Sequence, residues 1–177
     1  MPKSGPLTYI VSDTGPIIGL CKIGKIEILE SLAKKTLIPP YVYKELFGKI
    51  GFESHCIEKS LREFITVKEP EVSLPGMPDA SLAELGEGER QAILLAMSFG
   101  KNALLLMDDA AGRAVARKLH ISLTGLVGLL LLSKEKGVIG SITPLLENLR
   151  NKGYWLSDEI VATALELAKE SKPEPRL

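Results

Sequence analysis

The sequence is poor in the residues that most often carry chemistry in small proteins. Its 177 residues hold two cysteines and two histidines. Cys21 and Cys56 are too few for a disulfide framework, and neither stands in a CxxC pair or beside a histidine cluster that points to zinc. Net charge is absent as well. The 22 Lys and Arg balance 22 Asp and Glu, so no overall field draws the chain to nucleic acid or to a membrane surface. A polyanionic partner must be met by a local basic patch. Long hydrophobic runs are lacking: the most apolar stretch, GLVGLLLL at 125–132, covers about half a bilayer and is stopped by Ser-Lys-Glu-Lys, which makes it a buried helix. The opening MPKSGPLTYIVSD has only a short apolar segment before Asp13 and lacks the apolar core and cleavage site of a secretory leader. No membrane is expected, and a reducing cytoplasm is the expected setting.

What is present is enough apolar material for a substantial core. At 45 % hydrophobic and 25 % charged residues, the chain reads as one domain over 1–170, with a frayed tail at 171–177. LTYIVS predicts a strand ending at Asp13, with a helix starting near Pro16. Helical spacing over 17–32 is interrupted at Gly19 and Gly24, which predicts two short helices or a bent one. TLIP predicts a second strand, YVYKELFGKI a helix behind Pro40, FESHCIEKSLREF another helix and FITVKEP a short strand. Three prolines and no stable period make 69–82 a mobile loop that shapes access to the site. A helix at 87–99, the buried strand ALLLM, a capped helix in DDAAGRAVARKL and a short strand in HISLTG follow. Three helices separated at Gly137 and Gly153 fill 126–170. Strands alternating with helices predict an α/β protein, a parallel sheet covered on both faces with a helical C-terminal extension.

In such sheets, ligands bind beyond the carboxyl ends of the strands. Asp13 follows the first strand, and Asp108 and Asp109 follow ALLLM. If those strands are neighbours, their carboxylates meet, and Glu45 and Glu89 lie on helices able to lean over the same rim. Each has a plain alternative role. Asp13, Asp108 and Asp109 are suited to helix capping, and Glu45 and Glu89 to solvated helix surface. Gathered together, the acids repel one another and raise each other's pKa, which a divalent cation relieves. An all-oxygen set without histidine or cysteine favours Mg²⁺ or Mn²⁺ over zinc, and the matching chemistry is metal-assisted attack of water on a phosphodiester. GEGER begins like a dinucleotide loop, but position 91 is Gln and glutamates crowd its glycines, so a phosphate is repelled there. A phosphatase with an aspartyl nucleophile is disfavoured because Gly15 stands two places after Asp13. Arg113 and Arg117 share a helix face and are candidates to hold RNA phosphates. Arg113 is equally suited to pair with a site carboxylate or with Glu87.

The stretches VSDTGPIIGLCKIGKIEILESL, LIPPYVYKEL, GEGERQAILLA, LLLMDDAAGRAVARKLHISLTGLVGLLLLSKEKG and ITPLLENLRNKGYWLSDEI resemble the PIN-domain superfamily of metal-dependent ribonucleases. Within it they are similar to a branch of small prokaryotic PIN-like proteins found beside toxin–antitoxin modules. The resemblance implies a three-layer α/β/α fold with a central parallel sheet of about five strands and a Mg²⁺ or Mn²⁺ site. It also implies endoribonuclease activity on RNA, frequent homodimers and, for a toxin, an antitoxin protein partner. Its acidic site maps onto Asp13, Glu45, Glu89 and the pair Asp108 and Asp109, with metal at Asp13, Glu89 and one or both of that pair. Thr14 is the remaining hydroxyl candidate near substrate, because the motif commonly carries a second hydroxyl where this chain has Gly15. The alternative reading is a non-catalytic RNA-binding or partner-binding module.

Overall fold

The apolar, β-branched segment Leu7–Ser12 forms a central strand, β1, around which the other elements are arranged. The computed structural model describes residues 7–48, 51, 53–71 and 82–171. The other strands are β2 (Ala33–Ile38), β3 (Ile65–Val67), β4 (Ala103–Leu106) and β5 (Leu123–Thr124). They pair as one parallel five-stranded sheet in the order β3-β2-β1-β4-β5. The helices are α1 (Thr14–Lys22), α2 (Ile28–Leu32), α3 (Pro40–Phe47), α4 (Ser54–Glu63), α5 (Glu87–Phe99), α6 (Ala110–Lys118), α7 (Leu126–Glu135), α8 (Thr143–Asn151) and α9 (Asp158–Leu167).

Successive side chains of a strand face opposite layers, which builds two cores from one sheet. Ile10, Ile38 and Leu106 point into a core shared with α1 to α4 and with α7 to α9. Val11, Leu37 and Leu105 point into a second core made with α5 and α6. The expected three-layer α/β/α architecture follows, and the C-terminal helices share the first core. Glu170, just beyond α9, fastens them. Its carboxylate accepts the N–H groups of Ile142 and Thr143, each at 2.9 Å, and also meets Lys134, Ser141 and the Thr143 hydroxyl. Although burial works in the opposite direction, these donors, Lys134 foremost, hold its carboxyl well below the usual range.

From β1 the chain moves outward to β2 and β3, then returns to β4 and β5 on the other side. Strand order therefore reverses between β1 and β4, where the loops part and leave a crevice. Ser12 pairs with Leu106, and the Asp13 N–H donates to the Leu106 carbonyl at 3.0 Å. The acids that follow these two strands are brought to one rim, as the sequence implied.

Some details differ from the sequence reading. Gly19 does not interrupt a helix: α1 runs through it, and a Cβ there would lie 2.5 Å from Leu126 Cδ2 and 2.8 Å from Tyr154 Cε2. It is a point of close approach, and the chain turns at Gly24, whose φ is +62°. Gly137 and Gly153 also take positive φ, as expected of residues separating the last three helices. Most of the loop at 69–82 and nearly all of the tail lie outside the described residues. Among the described residues no helix is long and apolar enough to cross a membrane.

Cys21 on α1 and Cys56 on α4 form a single disulfide, with Cα atoms 5.7 Å apart. The two lie 35 residues apart, so no spacing motif announced the pair; the packing of α1 on α4 creates it. Closing a loop of 35 residues stabilises a fold by about 4 kcal/mol in the chain-entropy description. Reduction is expected to lower unfolding stability by about that amount, and the denatured, unreduced protein to show no thiol. Two titratable thiols in that sample would contradict the pairing.

Candidate metal centre

Asp13 stands at the N-cap position of α1 in extended backbone, yet its side chain makes no capping hydrogen bond. The usual reason for an aspartate at such a place is therefore not the one realised here. Half-buried at the end of the central strand, its carboxyl is pushed from an ordinary 3.8 up to about 6. Burial is the largest cause, opposed by the Thr14 N–H and reinforced by the charges of Glu89, Glu45 and Asp109. Four acidic residues from four different segments thus form one electrostatic group.

Local structure explains how each arrives. Pro40 opens α3, which carries Glu45 on its exposed face, and the Thr14 hydroxyl donates to Glu45 Oε2. Thr14, anticipated as a substrate contact, orients this carboxylate and also lines the cleft beside Asp13. Glu89 lies in the first turn of α5, where its Oε2 accepts the Gly86 N–H at 2.8 Å. Gly88 lets that turn approach Glu45, since a Cβ there would sit 3.1 Å from Glu45 Oε2. Asp109 caps α6 by accepting the Gly112 N–H at 2.7 Å.

The adjacent aspartates have separate duties. Asp108 is turned toward the C-terminal helices: its Oδ1 accepts the Leu126 N–H at 3.0 Å at the start of α7, and its Oδ2 accepts the Tyr154 hydroxyl. Asp109 is the one whose charge reaches Asp13. Tyr154 is a site residue that sequence reasoning missed, and its only trace was a glycine at position 19, over which its ring packs. Burial first, and then Asp108 and Asp13, raise its pKa well above the usual phenol value. The hydroxyl stays protonated and donates.

Between these elements opens a cleft of about 570 Å³, lined by Asp13, Gly15, Lys44, Glu45, Gly86 and Glu89, among others. Gly15 is not demanded by packing, because a Cβ there meets nothing within 4 Å. Neither arginine proposed for phosphate lines the cleft; among the described residues Lys44 is the cation that does. Arg113 donates through Nη1 to the Met107 carbonyl at 2.9 Å, beside Asp108. It does not meet Glu87, which Arg90 and Gln91 occupy, lowering the pKa of that acid. Arg117 is exposed one helical turn, about 6 Å, further along α6.

The donors fit a hard divalent cation. They are oxygen only, and the charges of Glu89, Glu45 and Asp109 add to burial in keeping Asp13 protonated to about pH 6. Glu45, Glu89 and Asp109 each spend one carboxylate oxygen on a hydrogen bond and keep the other without a protein partner among the described residues. Among those residues no three His, Cys, Asp or Glu side chains stand close enough together to hold a metal ion as they are placed. Comparison with known proteins gives a match over residues 9–170 to a family model described as a PIN domain. No curated protein matches the chain significantly.

Asp13 generates a test that needs no substrate. Its raised pKa means that stability is intact below about pH 4 and is lost as pH rises through about 6, where the half-buried carboxyl must ionise. Without divalent cations, Asp13→Asn is expected to be more stable than wild type near neutral pH, on the order of 2 kcal/mol, with the gap closing below about pH 4. Urea unfolding at both pH values checks this, and a destabilised variant at neutral pH would refute the electrostatic account.

Proposed function

The chain belongs to the PIN-domain family, and from that premise we propose that it is a Mg²⁺- or Mn²⁺-dependent endoribonuclease with Asp13, Glu45, Glu89 and Asp109 as its acidic centre. The observation that carries the reading is Asp13: a half-buried carboxyl at the switch point, surrounded by three further acids and making no cap. A bound Mg²⁺ or Mn²⁺ supplies a water of lowered pKa and stabilises charge developing on the phosphoryl oxygens.

In this proposal the chain's own groups divide the work. Asp13, Glu89 and Asp109 hold the ion. Glu45, fixed by Thr14, is a further ligand or accepts the proton of the attacking water. Lys44 on the cleft wall draws in the phosphate backbone, supplying the local positive charge that a neutral chain needs. Asp108, with Tyr154 and the Leu126 N–H, fixes the loop after β4 so that Asp109 faces Asp13. Both histidines are spare, since nothing in this scheme requires an imidazole. A role as the toxin of a toxin–antitoxin pair, an antitoxin partner and a homodimer are parts of the proposal that rest on the family resemblance alone.

Cleavage of a mixed single-stranded RNA pool tests the proposal. Wild type is expected to cut in Mn²⁺ and to stop in EDTA, and Asp13→Asn and Glu89→Gln to lose a hundredfold or more, on the order seen when proton-transfer or metal-binding groups are removed. Cleavage that survives both EDTA and Asp13→Asn would overturn it. RNA binding without cleavage would favour the non-catalytic RNA-binding alternative.

A further inference from the structure

The cleft at Asp13 is not the only depression beside the acidic loops. A second one, about 500 Å³, is bounded by Asp108, Arg113, Val127, Tyr154, Trp155 and Ile160. It adjoins the acidic centre through Asp108 and Tyr154, whose hydroxyl senses both Asp108 and Asp13.

Trp155 stands at its edge, the single tryptophan of the chain and 80 % exposed. Its exposure does not come from a loosely held loop. The Tyr154 N–H donates to the Leu149 carbonyl and the Gly153 N–H to the Arg150 carbonyl, each at 2.9 Å. Arg150 reaches back to the Leu156 carbonyl through Nε at 3.1 Å and Nη2 at 2.7 Å, and to Asp158 at 2.8 Å. A flat indole is thus held out to solvent on a braced turn, and among the described residues its ring meets no other aromatic ring. Val127 and Ile160 give the depression apolar walls. Arg113 spends only Nη1 on the Met107 carbonyl, so its other N–H groups have no partner among the described residues.

An apolar slot, an exposed indole and a spare guanidinium match a nucleobase, which has flat apolar faces and carbonyl oxygens on its edge. We infer that this depression is a base-stacking subsite for single-stranded RNA, with Trp155 as the platform and Arg113 as the hydrogen-bond donor to the base edge. The inference rests on the ribonuclease reading. A strand whose phosphodiester lies over Asp13 passes an adjacent base across Tyr154 into the slot. Duplex RNA, with its bases stacked inside, cannot use it.

The single tryptophan makes the test direct. A short single-stranded RNA is titrated into the protein in Ca²⁺, which is expected to support binding without rapid cleavage, and tryptophan fluorescence is followed beside RNA anisotropy. Expected are quenching by single-stranded but not duplex RNA and a weakening of binding between about fivefold and a hundredfold in Trp155→Ala. Trp155→Phe is expected to retain most of the affinity. Unquenched fluorescence with unchanged affinity in Trp155→Ala, alongside Asp13-dependent cleavage, removes the subsite and leaves the nuclease reading standing. If the protein neither binds nor cuts RNA, both fall. A change of oligomeric state in Trp155→Ala with RNA affinity unchanged overturns the inference and makes this face a protein interface.

Discussion

A carboxylate half-buried at the end of the central strand is the constraint on which the rest of the structure turns. The backbone of Asp13 is tied to Leu106 on β4, so its side chain stays at the point where strand order reverses. Raising its carboxyl from 3.8 to about 6 corresponds to about 3 kcal/mol against the ionised form. A helix cap contributes about 1 kcal/mol, and Asp13 does not make one. Capping therefore cannot account for the residue. Neighbours chosen only for stability would be basic or neutral, whereas three of those around Asp13 are acidic.

The C-terminal helices are part of this arrangement rather than an appendage to it. Asp108 ends the loop after β4 by accepting the first N–H of α7 and the Tyr154 hydroxyl, while Gly19 opens the surface of α1 to that ring. At the far end, Glu170 gathers donors from Lys134 and from the start of α8. Together these contacts hold the turn that carries Trp155 next to the acidic loops.

Much of this was legible because it follows from short-range pattern. Short apolar runs marked the strands, although β2 begins at Ala33, ahead of the TLIP run, and alternation with helices pointed to a parallel sheet. Acids placed just after β1 and β4 gave the rim where they meet. The remainder depended on partners distant in sequence. Tyr154 lies 46 residues from Asp108, and Cys21 and Cys56 meet only because two helices pack. Gly19 looked like a helix breaker because a sequence cannot display a tyrosine ring approaching from another helix. The duties of Asp108 and Asp109 were likewise inseparable in one dimension, since adjacent residues of one type differ only in which way each turns.

Calorimetric titration of Mn²⁺ into the wild-type protein and Asp13→Asn, at about pH 7.5 and about pH 5, tests the central claim most directly. The account predicts binding to wild type at the higher pH and affinity roughly tenfold lower at pH 5, where Asp13 with a pKa of about 6 is mostly protonated. It predicts loss of binding in Asp13→Asn at both. Equal Mn²⁺ affinity in the two proteins would contradict the claim that Asp13 is kept in its costly position to hold a cation.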